Sequence, residues 1–240
     1  MMTAAILLGA TLAIGAGYYI RKRAEFGGTV RPKVLVISAS DTHGGYFDPY
    51  VLQRYSPTPV QMISDASGLA CYDETLNGLQ LCELLVGGDV AFAAPDPGQL
   101  PTIKPLQQLL DEHPDCKLVM LGAGMNDVLF GGRSIEQMLA DKEAEANMTL
   151  LAGRVPVIRG FHNFAETSLM TAEKIAINTA ANTALQAKAA ATGVPCLDVH
   201  SVEFHGISDI AADGLHPTFE YHQRLCAFQA SRLAEIAQSI

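Results

Sequence analysis

Apolar runs of strand length recur along the chain at 33–38, 89–93, 117–122, 155–159 and 194–199. Between them lie stretches with helical spacing near 74–86, 101–113, 134–152 and 168–192, and a last one near 218–239. Unbroken apolar strands alternating with helices predict a parallel sheet buried on both sides, a three-layer α/β/α sandwich. Ser134 with Gln137 predicts a capping box opening the third helix, and Gly193 with Pro195 marks the end of the fourth. In such sheets reactive groups gather at the carboxyl ends of the strands.

Two stretches break the alternation. Residues 41–73 show no clear period and hold Tyr46, Phe47, Tyr50, Tyr55 and Tyr72, with prolines at 49, 57 and 59. A loop of that length inside a compact domain is often functional. It reads as a lid or a pocket wall, or as a surface excursion whose aromatics pack on its own base. At the other extreme, Met1 to Ile20 carries no charged side chain and is followed by Arg21-Lys22-Arg23. Twenty helical residues span roughly 30 Å, about one bilayer core. Tyr18 and Tyr19 fall where an interfacial aromatic belt would lie. A signal peptide carries its positive charge before the apolar run, and here the charge follows it. The expectation is a single-pass membrane anchor over 1–23, a linker over 24–32, and one globular domain over 33–240. Gly9, Ala13 and Gly17 put small residues on one helix face, through which two such anchors could pair as a homo-oligomer. The basic cluster places the domain on the cytoplasmic side by the positive-inside rule.

A formal charge of −9 excludes nucleic acid as a partner class, because phosphate binding needs a basic surface. The five cysteines, at 71, 82, 116, 196 and 226, form no metal spacing, so buried free thiols are expected rather than a disulfide framework.

The chemistry-bearing residues fall after strand-like runs. Asp213-Gly214-Leu215-His216-Pro217 precedes the last helix, with an acid and a histidine three residues apart. Ser40 follows the run Val34–Ser38, and Gly124-Met125-Asn126-Asp127 follows Leu118–Leu121. A serine hydroxyl needs a base within hydrogen-bond reach. His216 would take its proton, and Asp213 would hold the other ring nitrogen and stabilise the imidazolium. Asn126 and the backbone N–H of Ser40 would donate to the oxyanion that forms on an ester carbonyl. Ser38 is the rival nucleophile. His43, His162, His200, His205 and His222 show no matching spacing and read as surface or packing residues.

These residues resemble the SGNH (GDSL-like) hydrolases, serine esterases and lipases on a flavodoxin-like sheet. Asp213-Gly-Leu-His216-Pro217 is close to that family's last block, and Gly124-Met-Asn126-Asp127 to its Gly-x-Asn-Asp block, whose asparagine is an oxyanion donor. The first block departs. Where the family has Gly-Asp-Ser, a hydrophobic residue and often Thr, this chain has Ser38-Ala39-Ser40-Asp41-Thr42, and only Ser40 and Thr42 fit. The family also uses a glycine N–H after its second strand. With the second strand taken as 89–93, the corresponding stretch is Ala93-Ala94-Pro95-Asp96-Pro97-Gly98. Pro95 has no N–H to give, whereas Gly98 would supply the donor from a shifted loop. The resemblance implies hydrolysis of small-molecule, glycan or lipid esters with no cofactor and no metal. Many such hydrolases work outside the cytoplasm, which conflicts with the charge rule above.

Two other readings remain open. Asp41-Thr42-His43 is similar to the Asp-x-His opening of calcineurin-like metallophosphoesterases, but Gly88-Asp89 lacks an Asp three residues on and Asn126 is followed by Asp, not His. A membrane-anchored interaction domain that kept the fold and lost activity is the other.

Overall fold

The computed structural model describes residues 32–48, 51–76, 79–89 and 102–240. Its core is a five-stranded sheet built from β1 (Lys33–Ile37), β4 (Cys71–Asp73), β7 (Cys116–Leu121), β8 (Val155–Arg159) and β9 (Cys196–Leu197). The strand order is β4-β1-β7-β8-β9, and every pairing is parallel. Parallel neighbours need crossovers, and helices supply them on both faces.

The alternation of side chains along β1 sets the two faces. Val34 and Val36, with Leu118, Met120, Val155 and Val157, pack under α2 (Pro59–Ser67) and α8 (Phe219–Gln238) through Val60, Ile63, Leu225 and Leu233. Leu35 and Ile37, with Val119, Leu121 and Ile158, face the other way. They are covered by α3 (Leu81–Val86), α4 (Leu106–Glu112), α6 (Ile135–Leu151) and α7 (Ala172–Thr192). Each fully buried Val, Leu or Ile contributes about 1.5–3 kcal/mol, so these two clusters dominate the stability. Three further elements complete the frame. Two are short helices, α1 (Ser40–His43) after β1 and α5 (Met125–Leu129) after β7. The third is the hairpin of β2 (Gly45–Asp48) and β3 (Val51–Arg54).

The capping box Ser134/Gln137 opens α6 as expected, and Gly193 closes α7 in the left-handed conformation. The strand next to β1 at the sheet's edge is Cys71–Asp73 rather than the expected second run; of 89–93, Asp89 belongs to β5 (Gly88–Asp89), which bonds antiparallel to β6 (Thr102–Ile103), and 90–93 lie outside the described residues. The edge strand β4 is only half-buried, so it has no apolar run to reveal it. The aperiodic stretch 41–73 also holds all but the first residue of α1, the hairpin, α2 and β4. The helix expected from residue 74 begins only at Leu81.

Among the described residues no helix is long and apolar enough to cross a membrane. The expected anchor, Met1–Ile20, its small-residue stripe and the linker to residue 31 lie outside the described residues, as does Gly98. Cys71, Cys116, Cys196 and Cys226 are free thiols.

Candidate active site

The carboxyl ends of β1 and β7, and the segment between β9 and α8, each carry a turn that is pinned by side chains. After β1 the chain enters α1, whose first residue is Ser40. Its N-cap, Ala39, has no side chain to cap with, and the turn closes by Thr42 N and His43 N donating to the Ala39 carbonyl at 3.1 and 3.0 Å. The neighbours of Ser40 are each tied elsewhere. Ser38 Oγ bonds Thr42 Oγ1 at 3.0 Å, Asp41 ion-pairs with Arg159, and His43 Nδ1 lies 3.1 Å from both the carbonyl and the hydroxyl of Thr75. Ser40 itself is 7% exposed.

After β7, α5 carries Asn126 and Asp127. Asn126 Nδ2 donates to the Leu79 carbonyl at 3.2 Å. Asp127 accepts from the Leu81 N–H on both oxygens, at 3.1 and 3.0 Å, and so holds the start of α3. Burial pushes the Asp127 carboxyl up to about 6, against the lowering effect of the Leu81 N–H and of Lys142 and Arg133. These two bonds fasten the segment after β4 to the end of β7.

The third piece precedes α8. His216 Nδ1 and Asp213 Oδ2 are 2.7 Å apart, and both side chains are buried. Asp213 Oδ1 accepts from the N–H groups of Leu215 and His216, each at 3.0 Å. The carboxylate is thereby fixed on one oxygen and offers the other to the imidazole. Gly214 makes this tight turn at φ 72°, where a Cβ would also meet Thr167 at 3.3 Å. Thr167 Oγ1 donates to the Gly214 carbonyl at 2.7 Å, and Tyr55 OH to that of Pro217 at 3.1 Å. Tyr55 also stacks on Tyr46 and meets His222 edge-on, so the aromatics of the long stretch pack on one another and on α8. Among the described residues no hydrogen bond joins the Ser40 hydroxyl to His216.

Sequence reasoning missed three residues here. Arg159 at the end of β8, His162 just after it and His222 on α8 are all buried. Burial drives His162 down to about 4 and His222 down to about 3, so both rings are neutral at ordinary pH. Nδ1–H of His162 donates to the Asn163 carbonyl at 2.8 Å. His162 packs against Phe164 and Tyr221, and His222 against Tyr55. Burial alone would raise the Asp41 carboxyl, but the Arg159 guanidinium outweighs it and holds the group below the usual range. Arg159 had one sequence signal, a cation ending an otherwise apolar strand.

No family model matches the chain, and no curated protein sequence is significantly similar to it. Solved structures are similar. An inhibitor-bound aryl esterase of M. smegmatis superposes with a TM-score of 0.66 at 16% identity, covering 87% of this chain and 100% of the other. A member of the lipolytic G-D-S-L family from Veillonella parvula gives 0.60 at 14%, over 83% and 96%. A GDSL-like lipase from Bacteroides thetaiotaomicron gives 0.57 at 16%, over 92% and 99%. The chain has the SGNH (GDSL-like) hydrolase fold.

Proposed function

We propose that this chain is a serine ester hydrolase in which Ser40 attacks, His216 is the general base and Asp213 orients it. The observation that carries the reading is the Asp213–His216 pair at 2.7 Å, with the carboxylate already fixed by two backbone N–H groups. That geometry holds the proton on Nδ1 and leaves Nε2 to accept one from a serine hydroxyl. Ser40 heads α1 at the carboxyl end of β1, where the fold gathers reactive groups. In apo enzymes catalytic hydrogen bonds are often long and tighten only with substrate.

The steps follow from these roles. Ser40 Oγ forms a bond to the ester carbonyl carbon while His216 takes its proton. The tetrahedral oxyanion collapses, expelling the alcohol, which receives that proton. Water then repeats the sequence on the acyl-enzyme and releases the acid. Ser40 N–H and Asn126 Nδ2 donate to the oxyanion, and each such donor is worth about 10²–10³ in rate. The third donor expected of this chain, the Gly98 N–H, lies outside the described residues. The substrate class is a small-molecule ester, as in the esterases whose fold it shares. Residues 1–20 would anchor the enzyme to a membrane.

A fluorophosphonate probe should label the chain, and Ser40→Ala should abolish both labelling and EDTA-resistant turnover of p-nitrophenyl acetate. Undiminished labelling of the alanine variant would refute the assignment. A form starting near Val30 should stay soluble and keep that turnover; aggregation would place the apolar segment in the core instead.

A further inference from the structure

Asp41 stands where a hydrophobic residue would complete the resemblance, and its partner is 118 residues away. A buried ion pair is costly to desolvate and by itself is weak evidence of added stability. What distinguishes this one is what it connects. Arg159, at the carboxyl end of β8, is fully buried. Its Nη1 bonds Asp41 Oδ2 and, at 3.1 Å, the Gly160 carbonyl. Its Nε donates to Gln229 Oε1 at 2.9 Å. Gln229 lies on α8 and is itself held by the Leu225 carbonyl at 3.1 Å. The residue at one end of this chain of bonds adjoins Ser40. The helix at the other end is entered three residues after His216.

We infer that Arg159 is a positioning residue, whose guanidinium fork sets the turn carrying Ser40 against the helix that follows His216. The inference rests on the proposed roles of Ser40 and His216. α1 is only four residues long and has no side-chain cap, so its orientation depends on the ties its side chains make. Asp41 supplies the tie to β8 and α8. A point charge could neutralise Asp41, but only a planar fork can bond Asp41 and Gln229 from different nitrogens at once. The neighbouring His162 and His222 are neutral and supply no competing cation. Asp41 Oδ1 has no hydrogen-bond partner among the described residues, so its orientation rests on the Arg159 contact.

The test compares Arg159→Lys, Asp41→Leu/Arg159→Met and Gln229→Met with the unaltered chain. Arg159→Lys keeps the charge and loses the fork. A role in charge balance alone predicts wild-type turnover for it. Positioning predicts unchanged KM for p-nitrophenyl acetate with kcat and the fluorophosphonate labelling rate reduced together, on the order of 10²-fold for a 1 Å drift of the nucleophile. Asp41→Leu/Arg159→Met removes both charges, so it should fold yet show the same split between kcat and KM. Gln229→Met leaves the ion pair intact and cuts the link to α8; because it strips the buried Arg159 Nε of its acceptor, the melting temperature should fall, but kcat should fall at unchanged KM, and it tests the inference even if the double variant fails to fold. Wild-type kcat in Arg159→Lys and Gln229→Met overturns the inference while leaving the roles of Ser40 and His216 standing. Undiminished labelling of Ser40→Ala would instead overturn those roles.

Discussion

Gly122 packs against Ser38, two residues before Ser40, and Gly122→Ala tests how tightly the turn carrying Ser40 is held. Gly122 follows β7, and its N–H donates to the Ile37 carbonyl at 2.7 Å, drawing the ends of β7 and β1 together. A Cβ there would sit 2.1 Å from Ser38 Oγ, 2.7 Å from Ser38 Cβ and 3.3 Å from Arg159 Cδ. Rotating the Ser38 hydroxyl relieves the first contact but not the second, because Cβ moves only with the backbone. Ser38 must therefore shift, two residues before Ser40, and its bond to Thr42 across α1 shifts with it. Overpacking of this kind costs about 1–3 kcal/mol. At about 2–4 °C per kcal/mol for a chain of this size, the melting temperature should fall by about 2–12 °C. A displacement approaching 1 Å at the nucleophile should cost on the order of 10²-fold in kcat. Ser38→Gly removes both atoms of the clash. Alone it should cost about 1–2 kcal/mol, for the lost hydrogen bond and the freer backbone. Ser38→Gly/Gly122→Ala should then be more stable than the sum of the two singles requires, by about 0.5–3 kcal/mol. Thermal denaturation and p-nitrophenyl acetate kinetics on the four proteins measure both effects. If Gly122→Ala leaves melting temperature and kcat unchanged, or if the two substitutions add independently, the reasoning fails.

Asp213→Asn should keep the fold but leave the imidazole in the wrong tautomer, lowering kcat by up to roughly 10⁴, as steady-state kinetics on the folded protein would show. Asp127→Ala strips the buried Leu81 N–H of its acceptor and should lower stability by about 1–3 kcal/mol, read as a lower urea midpoint at unchanged m. His222 titrates lower in the folded chain than in the unfolded one, to about 3. The stability it contributes is therefore fully present above about pH 6.5 and is lost as pH falls toward its folded value. His222→Phe should flatten the acid side of a melting-temperature profile by up to about 1.4 kcal/mol per pH unit, and an identical profile would show that His222 is not held neutral.

How readable an element was in the sequence followed its burial. β1, β7 and β8 are covered on both faces and announced themselves as unbroken apolar runs. Cys71–Asp73 lies at the sheet's edge, where Tyr72 and Asp73 meet solvent, so no run marks it. α2 carried a usable signal in Thr58, Pro59, Gln61 and Gly68, a capping box with proline at the first turn and a glycine stop. The density of prolines around it favoured a loop reading. Asp213 and His216 could be read because they are three residues apart and their bond is local. Asp41 and Arg159 could not, because nothing in a single sequence relates positions that far separated. His162 and His222 were set aside for lack of spacing, yet their environment is made entirely by tertiary burial.

α8 has a consequence for how the chain is made. It seals the face formed by Val34, Val36, Leu118, Met120, Val155 and Val157, packing against α2, where Cys226 Sγ bonds the Pro59 carbonyl at 3.6 Å. During synthesis, at about 5–20 residues per second, roughly 10–35 s separate the emergence of α1 from that of α8. Until α8 docks, the face that it shares with α2 is only partly covered, and the turn carrying Ser40 lacks its tie to Gln229. A nascent chain arrested before residue 219 thus exposes apolar surface of the kind that holdase chaperones bind. If Ser40 and His216 act as proposed, hydrolytic competence would await the docking of the last helix.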